Sequence, residues 1–304
     1  MNGNDPRGTL RRMAEATTAL PTLPLVASRL LEAVARMDAE TTEEVARILA
    51  LDPGLTARTL RLANSDCYGF PRKVGSVELA VLVLGPGTIR DLVLTASVVQ
   101  TLAPGDRALT KLWSHSMACG VAARALAERV RYRLLGEAYA AGLLHDIGAV
   151  LLRQQEPGRL EAAQALAASN GLTLEEAERS LYGSDHSEVG GWLAERWGLP
   201  GEIVEAIACH HRPWEANRAP ELTALVHIAD SLADRAGYAW SPTPATGPAT
   251  ASAWEAIEPD AARRDALVDG LTEAVVRETE RECQLFAEFR GVQEDVSWVS
   301  PQRV

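Results

Sequence analysis

The 304-residue chain carries 30 Lys and Arg against 41 Asp and Glu, a net charge of −11, with 47% hydrophobic and 23% charged residues. That balance belongs to an ordinary globular protein and excludes a mainly disordered chain, a collagen-like repeat and a small disulfide scaffold. The acidic sign argues against nucleic acid and anionic membrane as partners, because neutralising phosphates calls for clustered basic residues.

Residues 1–13 are polar, carry three arginines and lack an apolar core segment, so no signal peptide is expected. Val26, Leu30, Val34 and Met37 then recur at helical steps. Thr41-Thr42-Glu43-Glu44 reads as a capping box that opens a helix through Val45, Ile48 and Leu49. Asp52-Pro53-Gly54 ends that helix and starts the next, with proline at the first helical position. The new helix carries Leu55, Thr59, Leu62 and Ala63 and breaks at Asn64-Ser65. A polar connection through Gly69, Pro71 and Gly75 leads to a short helix over 77–84, stopped at Gly85-Pro86-Gly87. A leucine-rich helix over 89–102 follows and ends at Pro104-Gly105; its apolar residues exceed one narrow stripe and suggest an interface. The most apolar stretch, 79–89, is too short to span a bilayer, and the cytoplasm is the expected location.

From Asp106 the helical period resumes at Leu109, Leu112, His115, Cys119, Ala122, Leu126 and Val130. Further helices are expected over 138–152, 158–169, 173–182, 187–197, 203–209 and 222–236. Residues 241–250 are rich in Pro, Thr and Ala and read as a linker. A last helix over 260–289, with Leu267, Leu271, Val275, Leu285 and Phe289 near one face, would pack back on the body or mediate a homo-oligomer. No alternating strand of useful length appears, so the fold class is all-α. About two units fit this length; the divisions are 1–105, 106–240 and 241–304. Cys67, Cys119, Cys209 and Cys283 form no CxxC pair, which excludes a zinc ribbon and a thioredoxin-type site and suggests small buried hydrophobes.

The chemistry lies in the histidines. There are six: His115, His145, His186, His210, His211 and His227. His115 lies between Leu112 and Cys119, and His145 follows Ala138 and Ala141 with Asp146 beside it. His186 begins a stripe continued by Val189, Leu193 and Trp197. His210 and His211 close stripes begun at Ile203 and Val204, and Asp230 falls one turn after Val226. A lone histidine on such a face is usually a satisfied core residue. Here the pattern recurs on separate helices, and burying unpaired imidazoles together with carboxylates is costly. A divalent cation removes that cost. Imidazole with carboxylate suits iron, manganese, zinc or nickel better than calcium. The arginines at 124, 129, 131 and 133 read as a solvated face, and Trp113, Trp192 and Trp197 as core anchors near the site.

Several motifs occur in a recognisable order. They are Leu20-Pro21-Thr22-Leu23-Pro24, Leu51-Asp52-Pro53-Gly54-Leu55, Leu60-Arg61-Leu62-Ala63-Asn64-Ser65, Leu112-Trp113-Ser114-His115-Ser116, Leu143-Leu144-His145-Asp146-Ile147-Gly148, Trp197-Gly198-Leu199-Pro200 and His227-Ile228-Ala229-Asp230. Over about residues 20–238 the chain thereby resembles the HDOD family, the HD-related output domain of bacterial signalling. The resemblance implies an N-terminal helical lobe packed on a lobe related to HD-domain metal phosphohydrolases. It also implies a role in signal transduction, usually without demonstrated catalysis. By position, His115, His145, Asp146 and Asp230 match the four-ligand mononuclear HD site. His186, His210 and His211 match the added ligands of dinuclear HD phosphodiesterases, with Asp146 as the expected bridge.

The chain departs from the related HD-GYP phosphodiesterases in three places. The lysine that follows HDxG and holds phosphate is replaced by Ala149, the paired histidines continue as Arg212-Pro213-Trp214, and Lys111 stands where some dinuclear members carry an acidic ligand. Arg153 and Arg212 are the candidate substitutes for phosphate binding. These departures point away from cyclic di-GMP hydrolysis. The expected function is a regulatory output protein with a metal site, mono- or dinuclear, that binds a signalling partner protein or a small ligand such as a nucleotide. A receiver domain would then reside on another chain. The alternative is a metal-dependent phosphohydrolase acting on a nucleotide or cyclic nucleotide. A vestigial helical scaffold fits the seven retained ligand-type residues least.

Overall fold

The structure is a computed structural model that describes residues 5–16, 25–36, 41–50, 53–65, 74–99, 107–241 and 251–290. In chain order the elements are α1 (Pro6–Ala16), α2 (Leu25–Arg36), α3 (Thr41–Ala50), α4 (Pro53–Ala63), α5 (Val77–Leu84), α6 (Pro86–Val99), α7 (Arg107–Arg129), α8 (Leu135–Leu144), α9 (Ile147–Gln155), α10 (Pro157–Asn170), α11 (Leu174–Tyr182), α12 (His186–Arg196), α13 (Gly201–Cys209), α14 (Pro220–Ala233), α15 (Ala251–Ile257) and α16 (Ala261–Arg290). No strand occurs among the described residues, and the fold is all-α. The described residues group into two compact units, one within 1–20 and 103–276, the other within 21–102 and 277–300.

In the second unit, α3 packs against α2, α4 and α5, and α2 also packs against α6. Leu30, Val45, Leu49, Leu62, Val81 and Leu92 form its core. Asn64 does more than stop α4. Its amide nitrogen donates to the Leu60 carbonyl at 2.7 Å and the Val74 carbonyl at 2.9 Å, and its oxygen accepts from the Val74 N–H at 2.8 Å. One side chain thus clamps two segments ten residues apart. Ser76 accepts the Leu79 N–H and starts α5. The expected three-residue stop after α5 is a single residue, Gly85, at φ 82°. Pro86 restarts the chain as α6 at once, because its missing N–H is not needed in a first turn. The Pro104-Gly105 boundary and the 242–250 part of the linker lie outside the described residues, as does Cys67.

The first unit is built around α14, whose residues from Leu222 to Asp230 are all buried. It packs against α7, α8, α13 and α15. One expected helix, 138–152, is two: α8 and α9 are separated by a turn at His145-Asp146, with Asp146 at φ −98° and ψ 15°. Apolar period continues through that turn, so the break is invisible to pattern reading. The run Leu135–Gln155, and not the stretch 79–89 singled out as the most apolar, is by length and composition long and apolar enough to cross a membrane. Yet 83% of its most apolar window is buried within the fold. Leu160, Ala163, Ala167, Leu174 and Ala177 of α10 and α11 form a smaller cluster, with Tyr182 and Trp240 against it. Thr173 and Glu176 close a reciprocal capping box on α11. Neither α1 nor α15 was expected. Each buries only two residues, Leu10 with Ala14 and Ala253 with Trp254, too few to make a periodic signal. Cys119 and Cys283 are buried and Cys209 is half-buried, and none forms a disulfide among the described residues.

Candidate metal centre

His115 projects from the middle of α7, His145 and Asp146 from the α8–α9 turn, and His186 from the first residue of α12. His210 and His211 close α13, and Asp230 comes from α14. All seven side chains are buried; six show no exposure and His211 shows 6%. The α9–α12 approach that brings Asp146 to His186 requires glycine at 148. A Cβ there would lie 2.6 Å from the Gly190 backbone nitrogen and 3.0 Å from the His186 carbonyl carbon.

Hydrogen bonding fixes the imidazole tautomers. The Nδ1 atoms of His145 and His210 lie 2.7 Å from the carbonyl oxygens of Gly142 and Ile207. A carbonyl only accepts, so each Nδ1 carries the hydrogen and each Nε2 turns a lone pair inward. His186 Nδ1 lies 2.7 Å from Glu178 Oε2, a carboxylate only 1% exposed, with the same consequence. Donation outward to carbonyl or carboxylate while Nε2 faces inward is the arrangement of metal-ligating histidines. His227 does not join the ring of donors. Its Nδ1–H reaches the His210 carbonyl at 2.7 Å and steadies the α13 end.

The inward atoms form two nests that share Asp146. In the first, Asp146 Oδ2 lies 3.2 Å from His145 Nε2 and 3.7 Å from His115 Nε2, and Asp230 Oδ1 lies 3.0 Å from His115 Nε2 and 3.9 Å from His145 Nε2. In the second, Asp146 Oδ1 lies 3.2 Å from His186 Nε2 and 3.7 Å from His210 Nε2, and His211 Nε2 sits 2.8 Å from His186 Nε2. Ligands at 2.0–2.2 Å around one cation are separated by about 3.0–3.6 Å, so both nests have the right scale. Each set of ligand atoms, Asp146 with His186, His210 and His211, and Asp146 with His115 and His145, falls within 4.8 Å.

The donor set also needs a cation. Asp146 Oδ1, both oxygens of Asp230 and His210 Nε2 are buried without a hydrogen-bond partner. Buried carboxylate oxygens left in that state are strongly disfavoured. The protons of the cage respond accordingly. Burial opposes charge on His115, but Asp230 and Asp234 outweigh it and raise its pKa well above the usual value. Burial opposes charge on His186 too, and Glu178 and Asp146 outweigh it. Burial would raise the carboxyls, but His145 and His186 hold Asp146 well below its usual range, and His115 and His145 lower Asp230. Burial, reinforced by neighbouring imidazoles, pushes His210 down to about 3 and lowers His211. The residues present therefore fit one or two divalent cations.

Three participants escaped the sequence reading. Asp234 Oδ1 lies 3.4 Å from His115 Nδ1, one turn beyond Asp230, a spacing that could have flagged it. Glu178 orients His186 through both its ring and its backbone N–H. Trp240 donates its indole N–H to Asp146 Oδ2 at 2.7 Å and meets the His186 ring edge-on at 6.4 Å. It reaches there because the chain leaves α14 through a π-turn, Asp234–Tyr238, with Gly237 at φ 89°. Of the tryptophans expected near the site, Trp113 is buried while Trp192 and Trp197 are half-buried. Within the arginine run, Arg124 stacks over Tyr139 at 5.0 Å.

The candidate phosphate ligands are both held in ion pairs. Ala149 is buried in α9. Arg153, one turn on, is ion-paired to Glu161 and lines a cavity with Lys111 and Trp240. Arg212 Nε lies 3.1 Å from Glu215 Oε2.

Residues 20–213 match the HDOD domain family. The chain belongs to that family. An HDOD domain protein of unknown function from Geobacter sulfurreducens is 28% identical with a TM-score of 0.72, over 92% of this chain and 98% of that one. A Shewanella amazonensis SB2B protein named as an inferred phosphohydrolase is 26% identical with a TM-score of 0.64, over 93% and 98%. An uncharacterised protein of Treponema pallidum (strain Nichols) is 26% identical over 207 residues; the match spans 67% of this chain but 40% of that protein's length.

Proposed function

We propose that this HDOD protein is a bacterial signalling output protein whose HD-like lobe is a two-cation centre serving a regulatory role in the cytoplasm. The observation that carries this reading is Asp146, which turns one carboxylate oxygen into each of two histidine nests. Five imidazoles and two carboxylates buried around one point make a costly arrangement without cations and a fitting one with them. Iron, manganese, zinc or nickel suits these donors. Such cations, when bound, polarise water and phosphoryl oxygens. The chain's own residues then do the holding. Asp146 would hold both cations, Asp230 and His115 would complete the first nest, and Glu178 fixes the direction of His186.

The regulatory reading stands above the enzymatic one on two features of the chain. Ala149 offers neither charge nor donor where phosphoryl transfer calls for charge stabilisation. The Trp240 N–H also occupies Asp146 Oδ2, an oxygen of the first nest. The partner is a signalling protein or a small ligand, and nucleic acid and membrane are not expected. The second reading, a metal-dependent phosphohydrolase acting on a nucleotide or cyclic nucleotide, is favoured by the paired nests and by the name of the Shewanella neighbour.

The test uses metal-reconstituted protein, His145→Ala as control, and a panel of cyclic and linear nucleotides. We expect little or no cyclic di-GMP turnover. Losing one charge-stabilising contact typically lowers rate by roughly 10²–10³. Robust hydrolysis abolished by His145→Ala would replace the regulatory reading with the enzymatic one.

A further inference from the structure

We propose that the cavity beside the centre binds a small organic phosphate with one flat apolar face, and that Trp240 connects its occupancy to the metal centre. Binding itself stands on the cavity alone; the coupling rests on the metal reading above. The cavity measures about 360 Å³, at the lower end of small-ligand sites. That size suits a mononucleotide better than two linked nucleotides.

Its walls divide by chemistry. Lys111 of α7, Arg153 of α9 and Gln164 of α10 supply charge and amide donors, while Leu112, Leu160 and Trp240 supply apolar surface. Two cations from different helices converge there in a protein of net charge −11. Arg153 is held by Glu161, a half-exposed carboxylate, and Lys111 forms no ion pair among the described residues. A guanidinium fork beside an ammonium matches the doubly charged, three-oxygen head of a phosphate monoester. A flat ring would then lie on the indole of Trp240, an aromatic side chain in the cavity wall.

Trp240 belongs to both places. Its N–H is fixed on Asp146 Oδ2, the oxygen of the first nest, while the rest of the indole walls the cavity. A ligand that moves the ring lengthens or breaks that hydrogen bond, and so alters the charge on the bridging carboxylate. Trp240 is thus a positioning residue for Asp146.

Adenosine 5′-monophosphate is the probe, titrated calorimetrically into the full chain carrying its metal, with inorganic phosphate and adenosine as the two halves. Saturable binding is expected, stronger than either half. Lys111→Glu and Arg153→Gln should each weaken it at least tenfold with metal content and melting temperature unchanged. In the cobalt-substituted protein the visible absorption should shift on adding the nucleotide, and Trp240→Phe, which keeps a ring but lacks the N–H, should lose that shift while retaining binding. No saturable binding of AMP, GMP, CMP or UMP overturns the proposal. Binding indifferent to both charge variants but abolished by His145→Ala also overturns it, because the ligand would then sit on the metals, and that result leaves the proposed function intact. Nucleotide binding by a chain that takes up no metal sustains the cavity and refutes the proposed function instead.

Discussion

Replacing Gly148 by alanine should damage one nest and spare the other. The added Cβ would lie 2.6 Å from the Gly190 nitrogen and 3.0 Å from the His186 carbonyl carbon, and against the carbonyl oxygen, where ordinary contact begins at 3.4 Å. These are backbone atoms of α12, so no side chain can turn aside. The two helices must separate by about 1 Å. Overpacking of a well-filled interior costs ~1–3 kcal/mol, and rigid partners place this case near ~3. For a unit of this size that is a fall of roughly 6–12 °C in Tm. The same displacement moves His186 from Asp146 Oδ1, now 3.2 Å from its Nε2, whereas metal–ligand distances tolerate only about 0.2 Å. The first nest uses His115, His145 and Asp230, none of which lies on α12. Metal analysis after saturation and desalting should therefore give about one ion per chain instead of two. Gly158→Ala is the matched control, since a Cβ there meets nothing within 4 Å and should be neutral or stabilising by ~0.5–1 kcal/mol. A Gly148→Ala protein with wild-type Tm and two ions would refute both the helix approach and the assignment of His186 to the second nest.

Asp146→Asn removes the shared charge with little change of size, and metal analysis should show loss from both nests. Glu178→Gln leaves an acceptor for His186 Nδ1 but a weaker one, and should lower affinity for the second ion by roughly tenfold, read by competition with a chelator. Burial pushes the Glu175 carboxyl up to about 7 from an ordinary value of 4.5. Because the folded pKa is the higher one, its contribution to stability is full below about pH 4.5 and is lost as pH rises through about 7. Glu175→Gln should flatten the fall in unfolding free energy across that window by ~1–3 kcal/mol, allowing for partial exposure, in denaturant titrations between pH 4.5 and 8.

Much of the centre could be read from the chain because its ligands announce themselves locally. His145-Asp146-Ile147-Gly148 and the His210-His211 pair sit at helix ends, where apolar stripes give way to ligand-type residues. His115 and Asp230 interrupt otherwise apolar faces. Trp240 carried no such signal. It lies beyond α14, and only the π-turn with its left-handed Gly237 brings the indole back to Asp146, a path set by tertiary packing. Glu178 was hidden for a similar reason. On α11 it looks like one member of an acidic helix, and its partner His186 becomes a neighbour only when the chain turns at Gly183. The α8–α9 break escaped because the chain is apolar on both sides of His145-Asp146, so period alone cannot distinguish one buried helix from two.

The central claim is that one carboxylate joins two metal nests. Anomalous diffraction from crystals of the metal-loaded protein, collected on either side of the metal's absorption edge, tests it most directly. The account predicts two peaks flanking Asp146, about 3.5–4 Å apart, one bounded by His115, His145 and Asp230 and the other by His186, His210 and His211. Crystals of metal-saturated protein with no peak at Asp146, or with peaks only at surface carboxylates, would contradict it.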